Sequence, residues 1–235
     1  MRLNNKVAVI TGASRGIGKS IATHFAAEGA RLVISGRDRV RLDSLRDEFK
    51  REGTDAISIV ADVSNESDIT KLIKTAHAEF GRIDILVNNA GFGIFKPVAE
   101  MTTGEYDSLF SVNMRGTFIA TRETLPYMIN QNDGVIINIA SLAGKNAVEN
   151  GAAYAATKWA MLGFGKSLML EVRKYNIRVV TICPGSVDTD FGSGHHPNPD
   201  KILKPSDVAE AAVLAASLPA TAMMSEIDLR PTNPK

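Results

Sequence analysis

Short runs of aliphatic and β-branched residues alternate with longer segments of helical periodicity along most of the chain. The short runs are almost continuously apolar, which is typical of parallel strands covered on both faces. The longer segments carry apolar residues at helical spacing and charges on the opposite side. The predicted strands are Val7–Ile10, Leu32–Ser35, Ala56–Val60, Ile83–Val87, Val135–Ile139, Ile177–Ile182 and Glu226–Leu229. The predicted helices cover residues 17–29, 38–51, 66–80, 104–130 and 151–175, and a further helix begins near Ser206.

Repeated strand–helix–strand units predict an α/β protein with a doubly wound parallel sheet (a Rossmann fold) of about seven strands in three α/β/α layers. Gly29, Gly53 and Gly81 follow the helical segments, where a left-handed residue commonly ends a helix. No linker or repeat interrupts the pattern, so residues 1–235 are predicted to form one domain. The segment near 190–205 is rich in Gly, Pro and His, and we expect it to be a loop beside the substrate.

The composition argues against several functional classes. The formal net charge is +1, so no overall field attracts nucleic acid or an anionic membrane. The longest apolar stretch, residues 211–224, is interrupted by Ser217 and Pro219 and is too short to cross a bilayer. Cys183 is the single cysteine, so the chain tolerates a reducing compartment. The apolar run Val7–Ile10 is too short for a signal sequence, and we expect a cytoplasmic protein.

The sequence TGASRGIG (Thr11–Gly18) follows the first predicted strand and opens the first predicted helix. In that context a glycine-rich turn favours a dinucleotide site, because free backbone N–H groups and the helix dipole face the pyrophosphate. A plain structural turn is the alternative interpretation. The residues predicted to bind the cofactor here are Gly12, Ser14, Arg15, Gly16, Ile17 and Gly18.

The end of the second predicted strand bears on the choice between NAD and NADP. NAD sites usually carry an acidic residue there, which binds the ribose 2′-hydroxyl. This chain reads ISGRDR instead, with Arg37 directly after Ser35 and Gly36. Two guanidinium groups, from Arg15 and Arg37, would suit a 2′-phosphate because each offers paired N–H donors. We therefore predict NADP(H) as the cofactor; alternatively, Arg37 is a solvated charge ahead of a helix capped by Asp38.

Several motifs follow one another in an order that resembles the short-chain dehydrogenase/reductase family over nearly the full length. The motifs are TGASRGIG, Asp62-Val63, NNAG (Asn88–Gly91), Asn113, Ser141, Tyr154-x-x-x-Lys158 and PGSVDT (Pro184–Thr189). The resemblance implies an oxidoreductase that transfers a hydride between a nicotinamide cofactor and a carbonyl or alcohol. A single motif of this kind would be weak, but the joint pattern is specific.

The resemblance also implies a role for individual residues. Asp62 and Val63 would bind the adenine ring of the cofactor. The residues implied to line the rest of the cofactor site are Asn89, Ala90, Gly91, Pro184, Gly185, Val187 and Thr189. The implied catalytic residues are Asn113, Ser141, Tyr154 and Lys158, of which Tyr154 and Lys158 would also contact the cofactor.

Tyr154 and Lys158 are four residues apart and share one face of a predicted helix, while Ser141 follows a predicted strand. A phenol has a reference pKa of about 10, and a nearby ammonium lowers that pKa. We expect Tyr154 to be the general acid, Lys158 to lower its pKa and Ser141 to stabilise the developing oxyanion. By the resemblance, Asn113 would hold a water that links Lys158 to solvent. The alternative is an ordinary amphipathic helix with a half-buried tyrosine and a snorkelling lysine.

The substrate is the least constrained part of the prediction. Apolar residues that could form a pocket wall are Phe92, Ile94, Phe95, Val148 and Phe191. They favour a small-molecule carbonyl substrate and an NADP-dependent carbonyl reductase that also works in reverse as an alcohol dehydrogenase. A 3-oxoacyl-[acyl-carrier-protein] reductase is the alternative, although INQND before the fifth strand offers no basic residue to a carrier protein. An NADP(H)-sensing or scaffold protein is the alternative outside catalysis.

Two further features concern metals and assembly. His195 and His196 are adjacent and have no ligand pattern around them, so no metal site is predicted. The C-terminal sequence MMSEIDLRPTNPK replaces the glycine-rich ending that is common in the family. We nevertheless expect a homodimer or homotetramer formed through the helical segments 104–130 and 151–175.

Overall fold

The computed structural model describes residues 1–191 and 201–232, and its centre is a parallel sheet. The seven strands lie in the order β3-β2-β1-β4-β5-β6-β7. They are β1 (Val7–Ile10), β2 (Arg31–Gly36), β3 (Ala56–Val60), β4 (Ile85–Asn88), β5 (Gly134–Ile139), β6 (Ile177–Pro184) and β7 (Glu226–Leu229). The order changes direction between β1 and β4, and open sheets of this kind bind ligands beyond the carboxyl ends of the strands at such a switch point.

Helices cover both faces of the sheet. The α-helices of the described chain are α1 (Gly16–Ala27), α2 (Arg39–Arg51), α3 (Glu66–Phe80), α4 (Thr103–Phe110), α5 (Gly116–Gln131), α6 (Ala152–Val172) and α7 (Pro205–Ser217). On one face, α1, α2 and α7 bury side chains such as Phe25, Phe49 and Val208 against the strands. On the other face, α3, α5 and α6 do the same with side chains such as Leu72 and Leu168. The predicted doubly wound fold with three layers is therefore confirmed.

The predicted helix over 104–130 is helical throughout, but a π turn divides it into two α-helices. Helix α4 ends at Phe110, a π-helical turn covers Ser111–Arg115, and α5 begins at Gly116. A π turn adds a residue to one helical turn without interrupting the chain direction, and such turns often occur at functional sites. The apolar periodicity passes through the turn, so the sequence pattern alone does not reveal it.

Smaller differences concern element ends. The fourth strand begins at Ile85 instead of Ile83, because the Gln131 side chain bonds to both the amide and the carbonyl of Ile83. The three predicted helix-ending glycines have the left-handed backbone expected, with φ of 84°, 83° and 73° at Gly29, Gly53 and Gly81.

Helix α7 begins at Pro205, close to the predicted start. Of the predicted loop, residues 192–200 lie outside the described residues, and they include His195 and His196. Within residues 1–191 and 201–232, no helix combines the length and apolar character needed to cross a membrane. The same ranges contain no group of three His, Cys, Asp or Glu side chains placed to hold a metal ion.

A buried carboxylate joins β1 to the segment before β4. Asp84 is 2% exposed and accepts hydrogen bonds from the Val7 amide at 2.9 Å and the Arg82 Nε at 2.8 Å. Lys6 Nζ lies 3.3 Å from the same carboxylate. Burial alone would raise the pKa of Asp84, but the hydrogen bonds from Arg82 and Val7 and the charge of Lys6 hold it below its usual value. The carboxylate thus fixes the central strands beneath the switch point.

Candidate active site

The glycine-rich turn packs so closely that side chains are excluded from it. Gly12 has φ of 65°, and a Cβ there would lie 2.8 Å from the Ala90 Cα. A Cβ on Gly18 would lie 2.3 Å from the Gly12 carbonyl oxygen. Arg15, which precedes α1, gives the helix no side-chain cap. The first-turn N–H groups of α1 are therefore left for a ligand, as an anion-binding helix start requires.

Asn89 holds this turn in place from the end of β4. Its Nδ2 donates to the Thr11 carbonyl at 2.9 Å and to the Gly12 carbonyl at 3.1 Å. The Thr11 hydroxyl in turn accepts from the backbone amides of Asn89 and Ala90, each at 3.1 Å. The sequence predicted Asn89 and Ala90 as parts of the cofactor wall, and the structure adds that they fix the glycine-rich turn. The floor of the site is formed before any ligand binds.

The guanidinium groups of Arg15 and Arg37 do not point at the same place in this structure. The Arg15 guanidinium lies 3.6 Å from the Asp190 carboxylate, and both side chains are largely exposed. The Arg37 guanidinium lies 3.9 Å from the Asp62 carboxylate. The expectation that both groups point at one place is therefore not met here, because each has an acidic partner of its own. Exposed pairs of this kind contribute little to stability, so either arginine is free to exchange its partner for a phosphate.

Asp62 lies at the end of β3 with one carboxylate oxygen occupied. This oxygen accepts from the Ser64 amide at 2.9 Å and from the Ser64 hydroxyl at 2.7 Å. Burial would raise the pKa of Asp62, but the Ser64 hydrogen bonds and the charge of Arg37 outweigh burial and lower it. The carboxylate is thus ionised and able to accept a further N–H. Arg37 and Asp62 line an open cavity of ≈ 740 Å³ that continues past Phe92 and Val112.

The structure brings Ser141, Tyr154 and Lys158 together beyond the carboxyl end of β5. Ser141 starts a 3₁₀ turn (Leu142–Gly144), and its hydroxyl accepts from the Ala143 amide at 3.1 Å. Tyr154 and Lys158 lie on α6 and are only 6% and 4% exposed. The Lys158 ammonium donates to the Ile139 carbonyl at 3.0 Å and lies 5.8 Å from the centre of the Tyr154 ring. An ordinary amphipathic helix would leave these polar ends in solvent, so the buried lysine rules out the snorkelling alternative.

The pKa of Tyr154 moves opposite to the sequence expectation. Burial raises it to about 12, and the neighbouring Ser141 hydroxyl acts only partly in the other direction. Burial also lowers the pKa of Lys158 to about 8. The net shift is upward in the protein without ligand because desolvation of the phenolate dominates, and the expected lowering by Lys158 stays a prediction. The Tyr154 phenol is accordingly protonated at neutral pH in this state.

Asn113 lies in the π turn, and its side chain makes three hydrogen bonds. The amide oxygen accepts from the Phe92 amide at 3.0 Å, and Nδ2 donates to the Phe92 carbonyl at 2.9 Å and to the Thr157 hydroxyl at 3.1 Å. The Thr157 hydroxyl donates to the Tyr154 carbonyl at 2.7 Å. Asn113 therefore connects the segment after β4 to the helix that carries Tyr154. Both Nδ2 hydrogens are thus used, whereas Oδ1 keeps a second acceptor site, and the expected relay water stays a prediction.

Two phenylalanine rings flank Tyr154. The ring centres of Phe95 and Phe191 lie 5.2 Å and 5.6 Å from that of Tyr154, and the two residues are 45% and 44% exposed. Both rings pack over Gly93, where a Cβ would be 2.7 Å from Phe95 and 3.1 Å from Phe191. Val148 packs beside Gly151 on the same side. The predicted wall residues Phe95 and Phe191 thus flank the candidate proton donor, and Val148 lies near Phe95.

The PGSVDT segment closes the other side of the glycine-rich turn. The Gly185 amide donates to the Leu229 carbonyl at 2.8 Å, which joins the segment to β7. The Thr189 side chain lies against Gly16, since a Cβ on Gly16 would be 3.3 Å from the Thr189 methyl group. Pro184 ends β6, and Val187 bridges to Leu203. These predicted cofactor residues therefore lie around one cleft with the turn after β1.

Sequence reasoning missed the ion pairs of Lys145. This residue follows the turn that begins at Ser141 and reaches two carboxylates of β7, Glu226 and Asp228. The signal was present in the atypical C-terminal sequence, which places two acids on one side of a strand. Pairing them with Lys145 required the three-dimensional fold.

Comparisons with known proteins identify the family of this chain. The family model described as short chain dehydrogenase matches residues 6–199. An uncharacterised oxidoreductase of Staphylococcus saprophyticus is 37% identical over 233 residues, covering 98% of this chain and 99% of that protein.

Two solved structures superpose over nearly the whole chain. A metagenomic short-chain oxidoreductase in complex with NADP has a TM-score of 0.88 and 39% identity, and 99% of each chain is covered. A 3-ketoacyl-(acyl-carrier-protein) reductase from Brucella melitensis, complexed with NADH, has a TM-score of 0.92 and 32% identity. That match covers 99% of this chain and 100% of the other.

Proposed function

The chain belongs to the short chain dehydrogenase family of oxidoreductases, and from that premise we propose that it reduces a small apolar ketone with NADPH. The reaction is reversible, so the same site would oxidise the corresponding secondary alcohol. The observation that carries the proposal is the buried group of Ser141, Tyr154 and Lys158 beside the cleft of the glycine-rich turn. A buried lysine without a carboxylate partner is unfavourable for folding, so a functional role accounts for it better than packing does.

The residues around the cleft fit a nicotinamide dinucleotide. The uncapped start of α1 and the side-chain-free surface at Gly12 and Gly18 accept a pyrophosphate against the backbone. The Asp62 carboxylate is ionised and can accept from the adenine amino group. Thr189 and the turn before it stand at the opposite end, where the nicotinamide carboxamide would bind.

When bound, NADPH supplies the hydride that adds to the carbonyl carbon. Tyr154 holds the proton for the carbonyl oxygen, and its raised pKa keeps it protonated at neutral pH. The Ser141 hydroxyl orients the carbonyl and donates to the oxygen as negative charge develops. Lys158 places a cation 5.8 Å from the Tyr154 ring, which stabilises the phenolate left after proton transfer. In the oxidation direction the same phenolate is the base.

NADPH is the proposed cofactor because the mouth of the adenine site carries arginine and no acid at the end of β2. Ser35 is fully buried and Gly36 has no side chain, so neither offers a carboxylate to a ribose 2′-hydroxyl. Arg15 and Arg37 hold only exposed, weak ion pairs, which a doubly charged phosphate can replace. The solved metagenomic relative was crystallised with NADP, although the Brucella reductase was crystallised with NADH. Comparing kcat/KM for NADPH and NADH tests this, and a preference for NADH would contradict it.

The proposed substrate is a compact ketone with an apolar substituent. Phe95 and Phe191 present half-exposed rings on two sides of Tyr154, so a substrate reaching the phenol contacts aromatic surface. A second candidate is a 3-oxoacyl thioester on a carrier protein, which the Brucella relative favours. The helix end before β5 reads INQND and offers no basic side chain to an acidic carrier. A small ketone therefore remains the first choice.

The function can be tested by following NADPH absorbance with a panel of ketones, diketones and acyl thioesters. Tyr154→Phe should lower kcat by about 10²- to 10⁴-fold, the usual contribution of a general acid, while NADPH still binds. Tyr175→Phe removes the hydroxyl of another half-buried tyrosine and should leave kcat unchanged. Turnover retained by Tyr154→Phe would refute the assigned proton donor. Tight NADPH binding without turnover of any panel member would instead support a sensing role.

An oligomer is proposed from exposed apolar residues on α4, α5 and α6. Large side chains there that are at least a third exposed are Tyr106, Phe118, Ile129, Trp159 and Leu170. Burying them against a second copy would remove apolar surface from water. Light scattering after size exclusion should give a dimer or tetramer, and Trp159→Lys should shift it towards monomer. A wild-type monomer would contradict the proposal.

The single, buried Cys183 suits a reducing cytoplasm, which is the proposed compartment.

A further inference from the structure

The last strand carries two acidic residues that hydride transfer does not require. Glu226 and Asp228 alternate with apolar residues on β7, so their side chains leave the same face of the strand. Lys145 Nζ lies 2.5 Å from a carboxylate oxygen of each. All three side chains are 25–35% exposed, so solvent and salt screen them less than a surface pair. This charged cluster joins β7 to the short turn that runs from Ser141 to Lys145.

The Ser141 turn, defined as Ser141–Lys145, is short and internally bonded. The Gly144 amide donates to the Ser141 carbonyl at 2.9 Å, and the Lys145 amide donates to the Leu142 carbonyl at 3.0 Å. Its first residue follows the end of β5 along the chain. Its last residue is held by the carboxylates of β7. Displacing Lys145 therefore displaces the segment that orients the Ser141 hydroxyl.

The same turn rests directly on the helix that carries the other two candidate residues. A Cβ on Gly144 would lie 2.9 Å from the Lys158 carbonyl oxygen and 2.5 Å from the Leu162 side chain. The turn and α6 are thus in backbone contact at the level of Lys158. A small shift of the turn changes the relation of Ser141 to Tyr154 and Lys158, since packed interiors transmit displacements.

We propose that Lys145 is a positioning residue for carbonyl reduction, which acts by clamping the Ser141 turn to Glu226 and Asp228. This inference rests on the proposed function, because it assigns a task to a residue next to that site. It also gives the atypical C-terminal strand a role: its two carboxylates anchor the turn. Lys145 itself contacts neither the proton donor nor the cleft of the glycine-rich turn.

The first test is kinetic. Lys145→Met should lower kcat by about 10- to 100-fold, because a misplacement of about 1 Å in an active site can reduce turnover that much. The KM for NADPH should stay close to the wild-type value, since the proposed phosphate-binding turn is elsewhere. Lys145→Arg should recover most of the kcat, because it keeps the charge. The matched control is Lys166→Met: Lys166 pairs with the same Glu226 at 3.3 Å but lies on α6 and is 66% exposed. It should retain wild-type kcat.

The second test needs no turnover. In the protein without cofactor, amide hydrogen exchange of peptides covering the Ser141 turn should become faster in Lys145→Met and stay unchanged in Lys166→Met. The double variant Glu226→Gln/Asp228→Asn removes the partners of Lys145 and should reproduce both effects. It also serves if Lys145→Met does not fold. Unchanged kcat and unchanged exchange in the double variant would overturn the inference. Wild-type protein that binds NADPH but reduces no carbonyl would overturn the proposed function instead, whereas the exchange result would stand on its own.

Discussion

Replacing Lys158 with methionine should stabilise the protein without cofactor while abolishing carbonyl reduction. Lys158 is 4% exposed, and its ammonium donates a hydrogen bond to the Ile139 carbonyl. In residues 1–191 and 201–232, no carboxylate forms an ion pair with it. The folded protein therefore carries a buried charge that the unfolded chain would hold in water.

The magnitude follows from the pKa. Burial lowers the pKa of Lys158 from 10.5 to about 8. One pKa unit corresponds to about 1.4 kcal/mol, so the buried ammonium destabilises the folded state by about 3 kcal/mol at pH 7. Methionine keeps most of the apolar volume but leaves the Ile139 carbonyl unpaired, which costs about 1–2 kcal/mol. The expected net gain is about 1–2 kcal/mol, or about 2–8 °C in Tm for a chain of this size.

The gain should depend on pH with a defined sign. Below the folded pKa of about 8, Lys158 is protonated in both the folded and the unfolded state, and the buried ammonium destabilises the folded state by its full amount. Between that value and the unfolded value of 10.5 the unfolded lysine still binds a proton that the folded one has released, so wild-type stability rises with pH. The advantage of Lys158→Met should therefore be full at pH 7 and absent or reversed by about pH 10, where only the cost of the unpaired Ile139 carbonyl remains.

Thermal unfolding of both proteins at several pH values, without cofactor, measures this directly. Lys166→Met is the control, because its side chain is 66% exposed and its removal should change stability by no more than about 0.5 kcal/mol. A Lys158→Met protein that is less stable than wild type at pH 7, or a gain that does not shrink with pH, would refute the reasoning.

Three other perturbations follow from the structure. Gly18→Ala should abolish NADPH binding in a fluorescence titration, because its Cβ would lie 2.3 Å from a carbonyl oxygen of the glycine-rich turn. Gly163→Ala, with nothing within 4 Å, is the control, and equal affinities would contradict the assigned site. Arg37→Ala should lower kcat/KM for NADPH by about 10- to 100-fold and leave that for NADH unchanged, as loss of a charged hydrogen bond predicts; an equal loss for both cofactors would argue against 2′-phosphate recognition. Asp84→Ala should lower the free energy of unfolding by about 3–5 kcal/mol, because the Val7 amide and two cations lose their buried acceptor. Its lowered pKa makes this contribution present above the unfolded value of 3.8 and lost at lower pH, so denaturation curves of variant and wild type should converge in acid.

The sequence predicted the fold well because its strands are buried on both faces. Such strands are continuous apolar runs, and each lies between helices whose periodicity differs clearly from theirs. The π turn at Ser111–Arg115 was missed because the apolar pattern continues through it. The start of β4 was missed because the Gln131 side chain hydrogen-bonds to the backbone of Ile83, and the two residues are 48 positions apart.

The sequence predicted which residues form the candidate site, but it predicted their pKa values and ion pairs less well. Ser141, Tyr154 and Lys158 come together at the strand end where the resemblance implies them. The pKa shift of Tyr154 was predicted with the wrong sign, because a sequence gives no measure of burial. Likewise, the acidic partners of Arg15 and Arg37 depend on segments distant in the chain. The residue pattern does not determine contacts between segments that are distant in the chain.

The hydrogen bonds of Asn89 set the shape of the site's floor independently of the charges around it. The shape of the proposed phosphate-binding floor depends on Thr11, Gly12 and Asn89, whereas the charges at the proposed adenine end come from exposed side chains outside that network. A lineage could therefore change its choice of dinucleotide through surface substitutions without rebuilding the floor. Because these hydrogen bonds hold the floor without a ligand, binding should lose little affinity to loop ordering, so selection can tune preference and tightness independently.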